Sequence, residues 1–229
     1  MEVIIRMWFI SLSFLLCACV QGDKVPGFAP SLLQVACEGS LDVTTRQVAA
    51  ITFKNAVSKH WEPSRENIST TPAEDKETVR GGILDGIINA PPQIRSQLIE
   101  AVRNLVYCDY PNQWPGLDQL LIQSLSSGDE TRIYGTLCVI RVICRKYEFK
   151  SEDADVQVGE NIANFILPPL LQMGLHILAA LQTGTTRSVD HVNMLRLILK
   201  SFWSCCYMGI PAALVDQPEA KLGAWLEVS

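Results

Sequence analysis

The sequence predicts an all-α protein in which helical hairpins stack into a right-handed α-solenoid. Past residue 28, apolar residues recur at spacings of three and four, as on one face of a helix, without the alternation typical of a strand. Stop signals made of Gly, Pro and Ser divide this text into segments that pair at a period of about forty residues, the range of HEAT-type repeats. Because a single amphipathic hairpin cannot bury its apolar face alone, neighbouring hairpins are expected to stack.

The first two hairpins are predicted from their caps and stop signals. A helix over residues 28–37 ends at a Glu-Gly-Ser turn, and Asp42 caps the next helix, which runs to residue 61. Residues 62–71 are polar and read as a loop. Thr71 and Glu74 have the spacing of a capping box, with Pro72 where a missing N–H costs nothing, and the helix they open continues to about residue 89. The pair Pro91-Pro92 starts the following helix, which ends at the turn over 111–115.

The second half of the chain is predicted to continue in the same way. Helices are expected over 114–125, 130–147 and 189–208. Between them, the segment 153–181 contains Pro168-Pro169, which predicts a kink or a break into two helices. A last helix is expected from Pro218 through Trp225. Together the predicted helices form about four hairpins and half of another, so the sequence is predicted to end inside a repeat.

The composition is that of a folded protein and disfavours a nucleic-acid binder. Of the 229 residues, 48% are hydrophobic and 19% charged, as in a well-buried domain. The net charge of -5 argues against nucleic acid as a partner, because neutralising phosphates requires a clustered excess of Lys and Arg. A partner with a basic surface suits this balance better. The eight cysteines show no metal-ligand spacing, so reduced, buried thiols are predicted in preference to disulfides.

The sequence contains no recognisable catalytic or cofactor motif. The three histidines are far apart, and neither Gly-x-x-x-x-Gly-Lys nor Gly-x-Ser-x-Gly occurs. The charged residues are scattered along the polar faces of helices rather than gathered in one segment. We therefore expect a non-enzyme without a cofactor or a metal ion.

The polar faces of the second helices of the hairpins are the candidate partner-binding surface. A solenoid presents these helices as one extended wall. For each position considered alone, an ordinary solvated side chain is the favoured interpretation. Taken as a row, the candidate partner-binding residues are Lys54, Asn55, Lys59, Arg103, Arg141 and Arg145.

Two motifs resemble signatures of a known family. The first is the stretch Thr-Arg-Gln-Val-Ala-Ala-Ile-Thr-Phe-Lys-Asn-Ala-Val over residues 45–57, closed by His60-Trp61. The second is Asp-Tyr-Pro-Asn-Gln-Trp-Pro over residues 109–115, at a turn between helical repeats. In this order and spacing they resemble the amino-terminal repeats of nuclear transport receptors of the importin-beta family, or karyopherins. The text from residue 28 onward is most similar to the branch that contains importin-seven and importin-eight.

The resemblance implies a function and partners. Amino-terminal repeats of this family bind the small GTPase Ran in its GTP form on their inner surface, and later repeats hold cargo proteins or nuclear pore proteins. Lys54 and Asn55 match the family motif, where they contact the partner or fix neighbouring helix ends. A nuclear import receptor of the cytoplasm and nucleus, touching neither nucleic acid nor membrane, is therefore expected. The alternatives are a generic helical-repeat scaffold without a Ran contact and a secreted or membrane-tethered helical protein.

The domain prediction separates residues 1–27 from an importin amino-terminal HEAT-repeat region over 28–229, truncated in its last repeat. The leader has a basic residue, an apolar stretch over 7–16 and a small-residue end, as a secretory signal peptide does. It replaces the first helical pair of the resembling receptors. It is therefore either a gene-model artefact or a working signal that would direct the chain to the secretory pathway, where the sequon at Asn67 would be glycosylated.

Overall fold

A computed structural model describes residues 26–63, 70–184, 189–215 and 223–225, and all regular secondary structure in these ranges is helical. The chain divides into two compact units, Met1–Trp114 and Pro115–Ser229. Most of the predicted leader and the sequon at residues 67–69 lie outside the described residues, as does most of the helix predicted from Pro218.

The described part of unit 1 forms two helical hairpins in two layers. Its helices are α1 (Phe28–Cys37), α2 (Val43–His60), α3 (Ala73–Asn89) and α4 (Pro92–Asp109). Helix α1 packs against α3 and α2 packs against α4, while each hairpin also packs internally. We call α1 and α3 the first layer of unit 1, and α2 and α4 its second layer. The apolar faces meet between the layers, where fully buried side chains include Phe53, Ile83, Ile87, Ile94, Leu98 and Leu105.

The start of α2 confirms one predicted cap, and the start of α3 shows that another was wrong. The Asp42 side chain accepts a hydrogen bond from the Thr45 amide at 2.9 Å, as an N-cap does. In contrast, the capping box predicted at Thr71 is not formed. The Thr71 hydroxyl donates to the carbonyl oxygen of His60 at 3.2 Å, and α3 begins after Pro72 without a side-chain cap. A tertiary contact with the end of α2 has replaced the local one.

An arginine at the same position of each second-layer helix caps the preceding first-layer helix. Arg46, the fourth residue of α2, donates from Nε to the carbonyl oxygen of Ala36 at 3.1 Å. Arg95, the fourth residue of α4, donates from Nε to the carbonyl oxygen of Ile87 at 3.0 Å. Carbonyl groups in the last turn of a helix have no intrahelical partner, so these cations satisfy orphan acceptors at the negative end of the helix dipole.

Unit 2 repeats the two-layer plan with longer helices. It contains α5 (Leu117–Leu125), α6 (Glu130–Tyr147), α7 (Asp153–Gln182), α8 (Val189–Cys206) and the short α9 (Ala212–Val215). Helix α6 packs on α8 as α2 packs on α4, and α7 lies against α5, α6, α8 and α9. The start predicted for α5 at residue 114 was too early, because Gly116 adopts the left-handed conformation (φ 80°) immediately before the first helical residue.

Helix α7 runs through Pro168 and Pro169 without a break, so of the predicted kink or break the break is wrong. The prolines remove backbone donors, yet the side chains around them, Ile166, Leu167 and Leu170, are almost completely buried. Burial of this apolar stripe holds the helix together across the missing hydrogen bonds. By length and composition alone, α7 passes the test for a membrane-spanning helix, a test that core helices of soluble proteins also pass.

Candidate protein-binding surface

The four predicted residues of unit 1 all lie on its second layer. Lys54, Asn55 and Lys59 are on the last three turns of α2, and Arg103 is on α4. Asn55, Lys59 and Arg103 are exposed, and Lys54 is half-buried. The apolar face of α2 turns inward through Phe53 and Val57, and this orientation directs the polar residues between them away from the core.

The guanidinium group of Arg103 forms an exposed ion pair that a binding partner can displace. Its NH1 atom lies 3.1 Å from Oε2 of Glu100, one turn earlier, and about half of each side chain is exposed. An exposed pair of this kind contributes at most about 1 kcal/mol, because water screens it. A partner carboxylate can therefore replace Glu100 at little cost.

An open cleft of about 600 Å³ lies at the carboxyl ends of α2 and α4. Lys59, Trp61 and Glu62 line one side, and Asn104 and Tyr107 line the other. Tyr107 is 51% exposed, and the sequence-based prediction missed it. Its position four residues after Arg103 was the available signal, since residues at that spacing share a helix face.

The two predicted residues of unit 2 take part in a network between α6 and α8. Arg141 is half-buried, and its NH1 donates to the hydroxyl of Ser204 on α8. That hydroxyl donates in turn to Oε2 of Glu148 at 2.6 Å. Arg145 also donates to Glu148, at 2.8 Å, and its side chain is 53% exposed. The structure therefore gives Arg141 a role in holding two helices together, whereas Arg145 is accessible from solvent.

Burial lowers the pKa of Arg141 from its ordinary value, and the neighbouring Glu148 carboxylate opposes that shift. Glu148 is almost fully buried, so its charge needs the two guanidinium groups around it. A single buried carboxylate thus faces two arginines. This excess of positive charge makes the exposed part of Arg145 suitable for an acidic partner group.

The two signature motifs meet inside unit 1. Nε1 of Trp61 donates to Oδ1 of Asp109 at 3.0 Å, and NH1 of Arg80 donates to Oδ2 of the same carboxylate at 2.8 Å. Asp109 and Trp61 are fully buried, and the ammonium group of Lys76 lies 5.3 Å from the centroid of the Trp61 ring. Trp114 of the second motif is also buried. Trp61 and Asp109 therefore connect the ends of α2 and α4 to α3 through Arg80, which gives these two motif residues a role in stability.

No group of three or more His, Cys, Asp or Glu side chains converges among the described residues in a way that could hold a metal ion. The two clefts are lined by helix ends and backbone turns. In the cleft of unit 2, Nζ of Lys150 lies 3.2 Å from Oδ2 of Asp155. The arrangement suits recognition of a protein surface.

Sequence comparison places the chain among known proteins. The family model of the importin-beta N-terminal domain matches residues 18–89. The chain is 35% identical over 210 residues to the importin beta-like SAD2 homolog of Arabidopsis thaliana, and 29% identical over 218 residues to importin-8 of Homo sapiens. Each alignment covers 91% of this chain and 20% of the relative. The chain thus spans about a fifth of the length of these curated relatives.

Comparison with solved structures also finds similarity to nuclear transport receptors. The exportin Cse1 in its cargo-free, cytoplasmic state matches 94% of this chain with a TM-score of 0.79 at 20% identity, and the match covers 25% of that exportin. Lph2, a bidirectional nuclear transport receptor of S. cerevisiae, matches 81% of the chain with a TM-score of 0.68, over 19% of its own length. These likenesses confirm the predicted fold class, an all-α solenoid of helical hairpins.

Proposed function

We propose, from the premise that this chain is a relative of the importin-beta family of nuclear transport receptors, that it acts in nuclear transport and binds the small GTPase Ran in its GTP form. Family relatives named importins and exportins support the transport role. A transport role of this kind implies that the protein moves between the cytoplasm and the nucleus and works in both. Its further partners would be cargo proteins and nuclear pore proteins.

The exposed second-layer face of unit 1 is the observation that carries the Ran proposal. Lys59 and Arg103 present positive charge on either helix, Asn55 adds a neutral donor and acceptor, and Tyr107 adds an exposed aromatic ring beside the cleft. Arginine and tyrosine are enriched at the energetic centres of protein interfaces. We assign Lys54 a supporting role in this surface, because its side chain is half-buried.

In unit 2 we assign the contact role to Arg145 and the positioning role to Arg141. Arg145 reaches solvent while its guanidinium group stays anchored on Glu148. Arg141 holds Glu148 and Ser204 in place from the side of α6. An anchored, exposed arginine loses little conformational freedom on binding, which favours affinity.

A pull-down with purified components tests this function. The chain should capture Ran loaded with a non-hydrolysable GTP analogue and leave Ran loaded with GDP in solution. Lys59→Glu and Arg103→Glu should each weaken capture by about tenfold or more, since a reversed charge opposes the partner's acidic groups. Lys150→Glu is the matched control, because Lys150 is an exposed lysine in the turn after α6, outside the proposed surface.

Two results would overturn the proposal. Equal capture of both nucleotide states would exclude recognition of the GTP form. Unchanged capture by Lys59→Glu and Arg103→Glu, with both variants folded as judged by circular dichroism, would exclude the second-layer face of unit 1. The helical-repeat scaffold without a Ran contact would then be the better description.

A further inference from the structure

A pair of cysteine thiols links α6 to α8 in unit 2. The Sγ atoms of Cys144 and Cys205 lie 3.6 Å apart, although the residues are 61 positions apart in the chain. Cys144 is 2% exposed and Cys205 is half-buried. A disulfide requires an S–S distance near 2.05 Å, so forming one here needs the sulfurs to approach by about 1.5 Å. The helices that carry them already pack against each other.

The same two residues line a small cavity. Its volume is about 110 Å³, and its wall includes Cys144, Cys205, Ser204 and the turn over residues 208–211. One water molecule takes up about 30 Å³ in the liquid, so the cavity can admit an oxidant of two oxygen atoms. Cys206 follows Cys205 directly but is not part of this wall. The cavity is therefore large enough to hold a small oxidant beside both cysteines.

We propose that Cys144 and Cys205 form an oxidation site, at which hydrogen peroxide converts two thiols into a disulfide that ties α6 to α8. The site is separate from the proposed Ran surface of unit 1. It adjoins the Arg141–Glu148–Ser204 network, since Cys144 is three residues after Arg141 and Cys205 follows Ser204. Oxidation would therefore restrain the helix that carries Arg145.

The reaction balances with one peroxide per disulfide. Sγ of Cys205, which is the more exposed of the two residues, gives an electron pair to one peroxide oxygen. The O–O bond breaks, the thiol proton leaves with the other oxygen, and the products are a sulfenic acid and water. Sγ of Cys144 then attacks Sγ of Cys205, the S–O bond breaks, and the hydroxyl group departs with the Cys144 proton as a second water. The two sulfurs are oxidised by two electrons, and the peroxide is reduced to two waters.

The environment makes this reaction slow and selective. The hydrogen bond between the two sulfurs and burial raise the pKa of the Cys205 thiol. Because the thiolate is the nucleophile, a raised pKa lowers the rate at neutral pH. Once a sulfenic acid forms, however, the second sulfur is already within 3.6 Å. Internal capture is therefore expected to outrun further oxidation to the sulfinic acid.

Peptide mass spectrometry, after the whole chain has been treated with peroxide and digested, tests the site. Trypsin cleaves after Arg141 and Arg145, which isolates Cys144 in residues 142–145, whereas Cys205 and Cys206 share residues 201–221. After treatment with peroxide and digestion without reductant, these two peptides should be found joined, and reduction should separate them. Cys206→Ser should keep the link, while Cys205→Ser should abolish it. The Cys206→Ser variant is thus the matched control for its neighbour.

Several results would overturn the proposal. A link within residues 201–221 would mean that Cys205 pairs with Cys206. Peroxide-treated Cys206→Ser that retains a free Cys144 thiol, or carries only sulfinic acid at Cys205, would show that the pair does not close. Since these readings need only the natural chain and Cys206→Ser, they hold even if removal of Cys205 prevents folding.

Discussion

The indole Nε1 of Trp61 donates a 3.0 Å hydrogen bond to Oδ1 of Asp109, across 48 residues of chain. The other oxygen of that carboxylate accepts from Arg80 at 2.8 Å, so one fully buried side chain is held by donors from α2 and α3 while it sits at the end of α4. The carboxylate thereby fixes the position of three helix segments at one point. Two family signatures that are remote in sequence form a single structural unit.

Removing this carboxylate should destabilise the chain strongly. Asp109→Ala leaves the Trp61 indole and the Arg80 guanidinium without their acceptor in a buried site, and the expected loss in free energy of unfolding is about 3 kcal/mol or more. Trp61→Phe, which removes one donor and keeps most of the ring, should cost about 1–2 kcal/mol. Urea denaturation followed by circular dichroism measures both.

The control for this pair is Glu100→Ala, which removes an exposed carboxylate from the same helix and should change stability by no more than about 0.5 kcal/mol. A double-mutant cycle of Trp61 and Asp109 should give a coupling energy clearly above zero. Additive effects of the two substitutions would show that the hydrogen bond is energetically unimportant.

The arginine caps of the first-layer helices should be sensitive to loss of the guanidinium group alone. Arg95→Met keeps the apolar stem and removes the donors to Ile87 and Ile88, so it should cost about 1–2 kcal/mol. Gln93→Ala, an exposed change on the same turn of α4, serves as the control. Thermal unfolding compares the two; equal midpoints would contradict the capping role.

Two glycines of α3 should respond differently to alanine. A Cβ atom at Gly86 would lie 2.8 Å from Sγ of Cys37, whereas one at Gly81 meets nothing within 4 Å. Gly81→Ala should therefore stabilise the chain by about 0.5–1 kcal/mol, because alanine favours the helix. Gly86→Ala should fall below that gain or destabilise the chain, because α1 lies too close.

Urea denaturation measures the stability of both glycine variants, and the same experiment can test the reason for the difference between them. Removing the Sγ atom with Cys37→Ala should make Gly86→Ala more favourable than it is in the natural background. If Gly86→Ala stabilises the natural chain as much as Gly81→Ala does, the close approach of α1 and α3 at this point is refuted.

Alkaline pH should weaken unit 2 through Tyr147. Burial, with smaller contributions from Asp155 and Asp118, raises the pKa of Tyr147 from 10 to about 12. Below pH 10 the phenol is neutral in both the folded and the unfolded state. Between pH 10 and about 12 the unfolded state releases its proton while the folded state retains it, so the free energy of unfolding falls as the pH rises.

Tyr147→Phe removes the titrating group and should reduce that alkaline loss of stability. Cys206, whose pKa burial also raises to about 12, contributes to the loss in both proteins, so the comparison isolates the phenol. Urea midpoints measured below pH 10 and near pH 12 give the alkaline loss of stability for the natural chain and for Tyr147→Phe. An identical loss in the two proteins would mean that Tyr147 titrates normally.

Local interactions determined most of the secondary structure, and these were predictable. The signals that define the helices act over a few residues: the spacing of apolar residues, the cap at Asp42, and the glycine and proline stops. The order of the helices therefore follows from the amino-acid sequence alone. The exposed positions of Asn55, Lys59 and Arg103 followed from helical periodicity in the same way. The two motifs pointed to the family, and the comparisons support it.

Other features arise from contacts between residues far apart in the chain, and only the tertiary structure decided them. Helix α7 continues through its prolines because neighbouring helices bury the side chains around them. Arg141 points to Ser204, and Cys144 meets Cys205, because α6 and α8 pack side by side. Amphipathic spacing states which face of a helix is buried, but the identity of the residue opposite each side chain depends on which helices meet and at what register.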